Sequence, residues 1–267
     1  MRKCFVTIGI ALALGTARFA SAAPVEFTAS GTQPSDIQSA VDAFRNTLGT
    51  NHGVLHGAGN VFDSGRREIN WDGVPDAVAA PNLMPPNFFN ANSPRGVVFL
   101  TPGSGFEISA KTGNPSGTPV EFGDIAPNLP RAFQTFSPQR LFTALDSAVT
   151  EALFFVPGTS TPATVSAFGA VFTNVTQLGS TRIEYLDANG VLIHTQIVPP
   201  GTYGHGGLSF AGTQFNGGER VYVVRVTSGN VELGAGGMFP NPRRAEPVDL
   251  VVMDDFIYAE PQTAATP

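Results

Sequence analysis

The sequence predicts an all-β fold: a two-sheet antiparallel β-sandwich, jelly-roll-like, carrying one N-terminal amphipathic helix. Three observations predict it. Ten short runs rich in Val, Ile, Phe and Tyr follow one another from about residue 95 onward, turn-forming residues separate them, and a single earlier segment has the apolar spacing of a helix. Composition agrees. The 267 residues are 42% apolar and 13% charged, the latter about half the roughly 25% usual in soluble domains, so the chain has the material for a large core.

The first 22 residues read as a secretory signal peptide. Arg2 and Lys3 form a basic start, residues 5–14 an apolar stretch, and Ala20-Ser21-Ala22 a small-residue cleavage pattern. Gly9, Gly15, Thr16 and Arg18 interrupt the apolar run, which falls short of the roughly 20 residues a membrane span requires. The expected destination is secreted, extracellular or periplasmic, with no membrane span. Cys4 is the only cysteine and leaves with the leader, so the exported protein is expected to hold itself together by packing rather than by disulfides. Three of the 15 basic residues leave too, and the remaining 12 face 21 acidic ones. Such an acidic surface lacks the basic footprint that neutralises phosphates, and nucleic acid is excluded as a partner.

Residues 23–65 are expected to form a helix and linker packed on the domain. From Pro34-Ser35-Asp36, a Ser or Asp cap, apolar residues fall at Ile37, Val41, Phe44 and Leu48, and Gly49 closes the segment. Residues 66–260 carry the sandwich, and 261–267 a flexible tail. The expected strands are 95–100, 105–110, 152–156, 164–172, 182–186, 191–198, 208–210, 220–227, 231–234 and 251–258. The step Asp187-Ala188-Asn189-Gly190 between two β-rich runs is the clearest hairpin signal. Two Pro-rich stretches, 81–94 and 111–138, are too broken for core strands. Their phenylalanines, among them Phe88, Phe89, Phe122, Phe133 and Phe136, supply anchors that predict ordered loops.

The stretches Gly65-Arg66-Arg67-Glu68-Ile69-Asn70-Trp71-Asp72-Gly73-Val74, Phe136-Ser137-Pro138-Gln139-Arg140-Leu141-Phe142, Thr161-Pro162-Ala163-Thr164-Val165 and Val252-Met253-Asp254-Asp255-Phe256-Ile257-Tyr258 resemble an uncharacterised family of exported bacterial β-sandwich proteins of the PEP-CTERM-associated type. The resemblance covers most of the exported chain and implies no activity. Glu260-Pro261 is followed by six residues without an apolar helix or basic end, so the sorting tail of that type is not matched. The closing Asp-Asp strand is similar to the last strand of galactose-binding-like jelly rolls and carbohydrate-binding modules. That likeness implies a structural calcium between first and last strands.

The candidate metal ligands are Glu68, Asn70, Asp72, Asp76, Asp254 and Asp255. In an extended segment the side chains of 68, 70 and 72 share one side while Ile69 and Trp71 take the other, and calcium takes six to eight oxygens at about 2.3–2.6 Å. The spacing partly mimics an EF-hand loop but fails at the twelfth place, where Ala79 stands. The competing reading pairs Glu68 with Arg66 or Arg67 and lets the aspartates cap turns. Strand alternation allows at most one of Asp254 and Asp255 to face inward.

Other chemistry is thinly supported. His52 and His56 have i, i+4 spacing but sit among glycines, and His194 and His205 stand apart. No Gly-x-Ser-x-Gly elbow or phosphate loop occurs. Glu107, Glu121, Asp124 and Glu184 are the acids from which a glycosidase pair would be drawn. Arg66-Arg67 and Arg243-Arg244 are paired arginines, suited to local ion pairs or, if they meet, to an acidic glycan. The expected function is therefore a secreted non-catalytic sandwich domain that recognises an extracellular or cell-surface component such as carbohydrate and is stabilised by calcium. The alternatives are a secreted hydrolase with a loop-assembled carboxylate pair and a purely structural extracellular protein.

Overall fold

The computed structural model describes residues 22–54, 58–201, 206–234 and 247–263. The leader through residue 21, His56, His205 and Arg243-Arg244 lie outside the described residues. In chain order the elements are β1 (Val25–Gly31), α1 (Pro34–Leu48), β2 (Arg66–Ile69), the single turn α2 (Phe88–Ala91), β3 (Val97–Leu100), β4 (Gly105–Ile108), β5 (Phe142–Leu145), β6 (Val149–Phe154), β7 (Ala163–Thr164), β8 (Ala167–Thr173), β9 (Arg182–Leu186), β10 (Leu192–Ile197), β11 (Leu208–Gln214), β12 (Val223–Thr227), β13 (Val252–Ala259) and β14 (Gln262–Thr263). One sheet runs β1-β11-β8-β13-β5-β4, with β2 also paired to β13; the other runs β10-β9-β12-β6-β3. Both are antiparallel, and β7 and β14 form a small separate pair.

The all-β sandwich follows from the alternation. Tyr185 of one sheet donates its hydroxyl to the Phe168 carbonyl of the other at 3.0 Å, and Phe154 packs on Tyr258 with ring centroids 5.3 Å apart. The strand β8 is buried along its whole length, as a central strand covered on both faces must be. The Asp187–Gly190 hairpin forms as expected: Asp187 accepts from the amides of Asn189 and Val191 at 2.8 and 2.9 Å, and Gly190 takes φ 75°.

One face of α1 is covered because Ile37, Val41, Phe44 and Leu48 share it. Phe44 reaches Phe27 of β1 and Phe210 of β11 at 5.3 and 5.6 Å. Glycine at 169 permits this contact, since a Cβ there would stand 3.0 Å from the Phe44 ring. The helix start differs from the Ser or Asp cap read in the sequence. Gln33 is the N-cap and Asp36 completes a capping box, accepting from the amides of Thr32 and Gln33.

Four strands lie outside the expected ranges. Residues 25–31 form the edge strand β1 of the larger sheet instead of linker, β2 precedes the first expected strand, β5 lies just after the Pro-rich stretch, and β14 pairs with β7 within the expected flexible tail. Residues 231–234 form no strand and touch β5 through a bridge at Leu233. The Pro-rich stretch 111–138 is ordered as expected, because Phe122, Leu129 and Phe133 bury themselves with Leu141, Val231 and Leu250 in a second, smaller core.

Candidate functional site

The strand β13 is irregular on both edges at the same place. Toward β8, Met253 pairs with Phe172 and Phe256 with Ala170, so Asp254 and Asp255 together oppose a single residue, Val171: a β-bulge. On the other edge, Met253 pairs with Phe142 of β5 while Phe256 pairs with Ile69 of β2. The gap between β5 and β2 therefore opens at the two aspartates. Segments leaving β2 and entering β5 fill it. Trp71 Nε1 donates to the Asp254 carbonyl at 2.8 Å, satisfying a backbone acceptor that faces the gap.

The bulge corrects the expectation that only one aspartate can face inward. Both are buried, at 0% and 3% exposure, because the extra residue breaks the two-residue alternation. Asp254 Oδ2 accepts from the Phe136 amide at 2.6 Å, and the Ser137 hydroxyl lies 3.1 Å from Asp254 Oδ1 and 2.7 Å from Asp255 Oδ1. A serine hydroxyl has one proton and cannot serve two carboxylates. Burial, and then the charge of Asp255, push Asp254 well above the usual carboxylate range. Burial also raises Asp255, against the opposing pull of Ser137 and Arg45. Burial and the neighbouring carboxylate thus favour the protonated form at Asp254, while Asp255 faces the guanidinium of Arg45 at 3.1 Å.

The extended reading of residues 68–72 holds only to Ile69. Trp71 takes φ 65°, the Asp72 amide bonds the Asn70 carbonyl at 2.8 Å, and this turn ends the alternation. The six predicted ligands consequently split into three groups. Glu68 is held by Arg45 at 2.8 Å and by Arg66 at 2.5 Å. Asp76 pairs with the buried guanidinium of Arg140 and with Lys111. Asp72, Asp254, Asp255 and the Asn70 carbonyl gather near Ser137, the last at 3.4 Å. Asp72 also accepts from the Arg140 amide at 3.1 Å, and burial, with the charge of Asp255 adding to it, lifts its carboxyl to about 6. Among the described residues, no three His, Cys, Asp or Glu side chains converge as a metal-binding group. Arg45 occupies the place between Glu68 and Asp255 where a shared cation was expected.

Two hollows adjoin the site. One, of about 380 Å³, is lined by Gln38 and Arg45 of α1, Asn51, Gly53, Glu68, Asn70, Arg95, Phe136, Ser137 and Asp255. The other, of about 260 Å³, is lined by Trp71, Phe88, Phe89, Val74, Pro75, Asn92 and Ser93, and shares Asn70 and Arg95 with the first. Behind it Trp71 stacks on Phe142 at 4.2 Å and meets Phe89 and Phe256 edge-on. Arg45, Arg95 and Ser137 were not singled out by sequence reading. Ser137 and Arg140 did stand inside a quoted stretch. Three of the four quoted stretches (65–74, 136–142 and 252–258) meet here, whereas Thr161–Val165 pairs elsewhere, with Gln262 and Val221.

The other candidates stay apart from the groove. Arg67 forms a fully buried ion pair with Glu260 at 2.6 Å. His52 stacks on Phe62, and His194 bonds Glu26 across the sheet edges at 2.7 Å. Glu184 lies near Arg182 and pairs in register with Arg225. Glu107 is buried with Oε1 unpartnered, and burial together with the charge of Asp124 pushes its carboxyl up to about 8. A wider depression of about 600 Å³, around Gln177, Arg182, Asn230 and Glu232, holds none of the predicted site residues.

Fold and groove define a class, an all-β sandwich with a polar and aromatic groove at an irregular strand. No protein-family model, curated protein or solved structure matches the chain. Among the described residues no helix is long and apolar enough to cross a membrane.

Proposed function

We propose that this chain is a secreted, non-catalytic β-sandwich module that recognises an extracellular or cell-surface carbohydrate in the groove beside the β13 bulge. The observation that carries the reading is the make-up of the two hollows. Aromatic edges of Phe88 and Phe89 line one, and amide, guanidinium and carboxylate groups of Gln38, Asn51, Arg45 and Glu68 line the other. Sugars present apolar C–H faces and a rim of hydroxyls that both donate and accept, and fixed polar groups beside an aromatic wall are what such a ligand needs. The ion pairs of Arg45 hold that rim in place before a ligand arrives, which lowers the ordering cost of binding.

A calcium ion, the second part of the reading, is confined to Asp72, Asp254, Asp255 and the Asn70 carbonyl. The Asn70 carbonyl near Ser137 would add a neutral oxygen to those carboxylates; Glu68 and Asp76 are committed to arginines. The hydrolase reading gains one observation, since Glu107 keeps its proton near neutrality beside Asp124 as a general acid must. Neither residue lines the groove, and the non-catalytic reading is preferred. The test is an array of neutral and charged oligosaccharides probed with the protein from residue 23 onward, with hits confirmed through the fluorescence of the single tryptophan, Trp71. Binding lost in Gln38→Ala with Asn51→Ala supports the reading. A blank array removes it, and release of new reducing ends moves the assignment to a hydrolase.

A further inference from the structure

Resting on the carbohydrate reading, we propose that the groove selects sugars bearing an acidic group, a uronate carboxylate or a sulfate, and that Arg95 is the residue that binds it. Around the polar hollow, Arg45 and Arg66 face Glu68 and Asp255, and Arg45 also meets Asp42 at 3.7 Å. Arg95 faces none of these carboxylates. Among the described residues it has no carboxylate partner, though it lines both hollows.

Its guanidinium is nonetheless fixed. Nε donates to the Glu68 carbonyl at 2.9 Å, Nη1 bonds the Ser93 hydroxyl, and the group lies over the Phe89 ring at 5.5 Å. Burial disfavours its charge, so an incoming oxyanion would restore what desolvation removed. Nη2 makes no hydrogen bond to a described residue and remains for a ligand. A half-buried, pre-oriented guanidinium without an acid is a costly arrangement in a chain of net charge −6, and its chemistry matches a planar carboxylate or a sulfate.

The test compares three oligosaccharides of one backbone: neutral oligogalactose, oligogalacturonate and sulfated oligogalactose. The expected result is at least tenfold tighter binding of one or both acidic forms to the unmodified protein, a preference that shrinks as salt rises. Arg95→Gln should abolish the preference, read as the ratio of acidic to neutral binding within the variant, whereas Arg95→Lys should keep part of it. Preference for galacturonate over the sulfated form identifies a carboxylate subsite, and the reverse a sulfate subsite. Equal binding of neutral and acidic forms overturns the acidic-sugar inference while leaving the carbohydrate reading standing. An acidic preference that survives in folded Arg95→Gln overturns the role of Arg95. Failure of all three sugars, together with a blank array, overturns both readings. The comparison on the unmodified protein decides the selectivity even if the Gln variant does not fold.

Discussion

The guanidinium of Arg45 lies 3.1 Å from the carboxylate of Asp255, 210 residues further along the chain. The same guanidinium holds Glu68 at 2.8 Å, and one helical side chain thereby ties α1 to β2 and to the bulge of β13. Removing one member of such a largely buried pair strands the others without a counter-charge.

Arg45→Met should accordingly cost about 3 kcal/mol in urea unfolding. Asp42→Ala should cost no more than about 0.5 kcal/mol, because Asp42 meets Arg45 only at 3.7 Å and is half exposed. Similar losses for the two would show that the helix is not anchored through this pair.

Asp254 is expected to behave as a neutral acid. Its raised folded value means that the stability it contributes is complete below the ordinary carboxylate range and is lost as pH rises through the folded value. Asp254→Asn keeps an acceptor for the Phe136 amide and a donor toward Ser137 and Asp255, and should melt no lower than the unmodified protein at pH 8. Asp255→Asn deprives Arg45 of a partner and should lose roughly 2 kcal/mol. Thermal melts of both at pH 5 and pH 8 check the asymmetry, and the opposite ranking would place the proton on Asp255.

Glu107 supplies a second alkaline-sensitive group. Its carboxyl rises from an ordinary 4.5 to about 8. Its contribution is therefore full below about pH 4.5 and disappears as pH climbs through 8. Glu107→Gln should flatten the fall in melting temperature between pH 5 and 9, by on the order of 5 °C. A parallel fall in the variant would show that Glu107 is ionised throughout.

Calcium at Asp72, Asp254 and Asp255 would stabilise by mass action. Chelation should then lower the melting temperature, most at pH 7 and above, where Asp72, lifted to about 6, is ionised. Asp72→Ala should remove the sensitivity. Identical melts with and without chelator would leave the proton and Arg45 as the agents that neutralise the pair.

Much of the fold was legible because it is written in local patterns. The helix shows in Ile37, Val41, Phe44 and Leu48, and the β9–β10 hairpin in Asn189-Gly190, since period and turn chemistry depend only on near neighbours. The edge strand β1 also alternates, but its closeness to the leader and the helix hid it among residues read as linker. For the site, Trp71, Asp72, Asp254 and Asp255 were legible as a group because they cluster in two short, polar stretches. Arg45 was not, since on α1 it looks like any solvated helix residue, and neither was Arg95, a single arginine at the start of a strand run.

Chain order thus contained the sandwich, the helix and the acidic stretches around Trp71 and Met253. What neutralises those acids was decided in three dimensions. Alternation along a strand places one of two adjacent side chains inward, and only pairing with β8, β5 and β2 reveals the extra residue that turns both inward. An acid's counter-ion depends on which cation arrives beside it, and Arg45 arrives from more than two hundred residues away because helix, bulge and gap pack at one place.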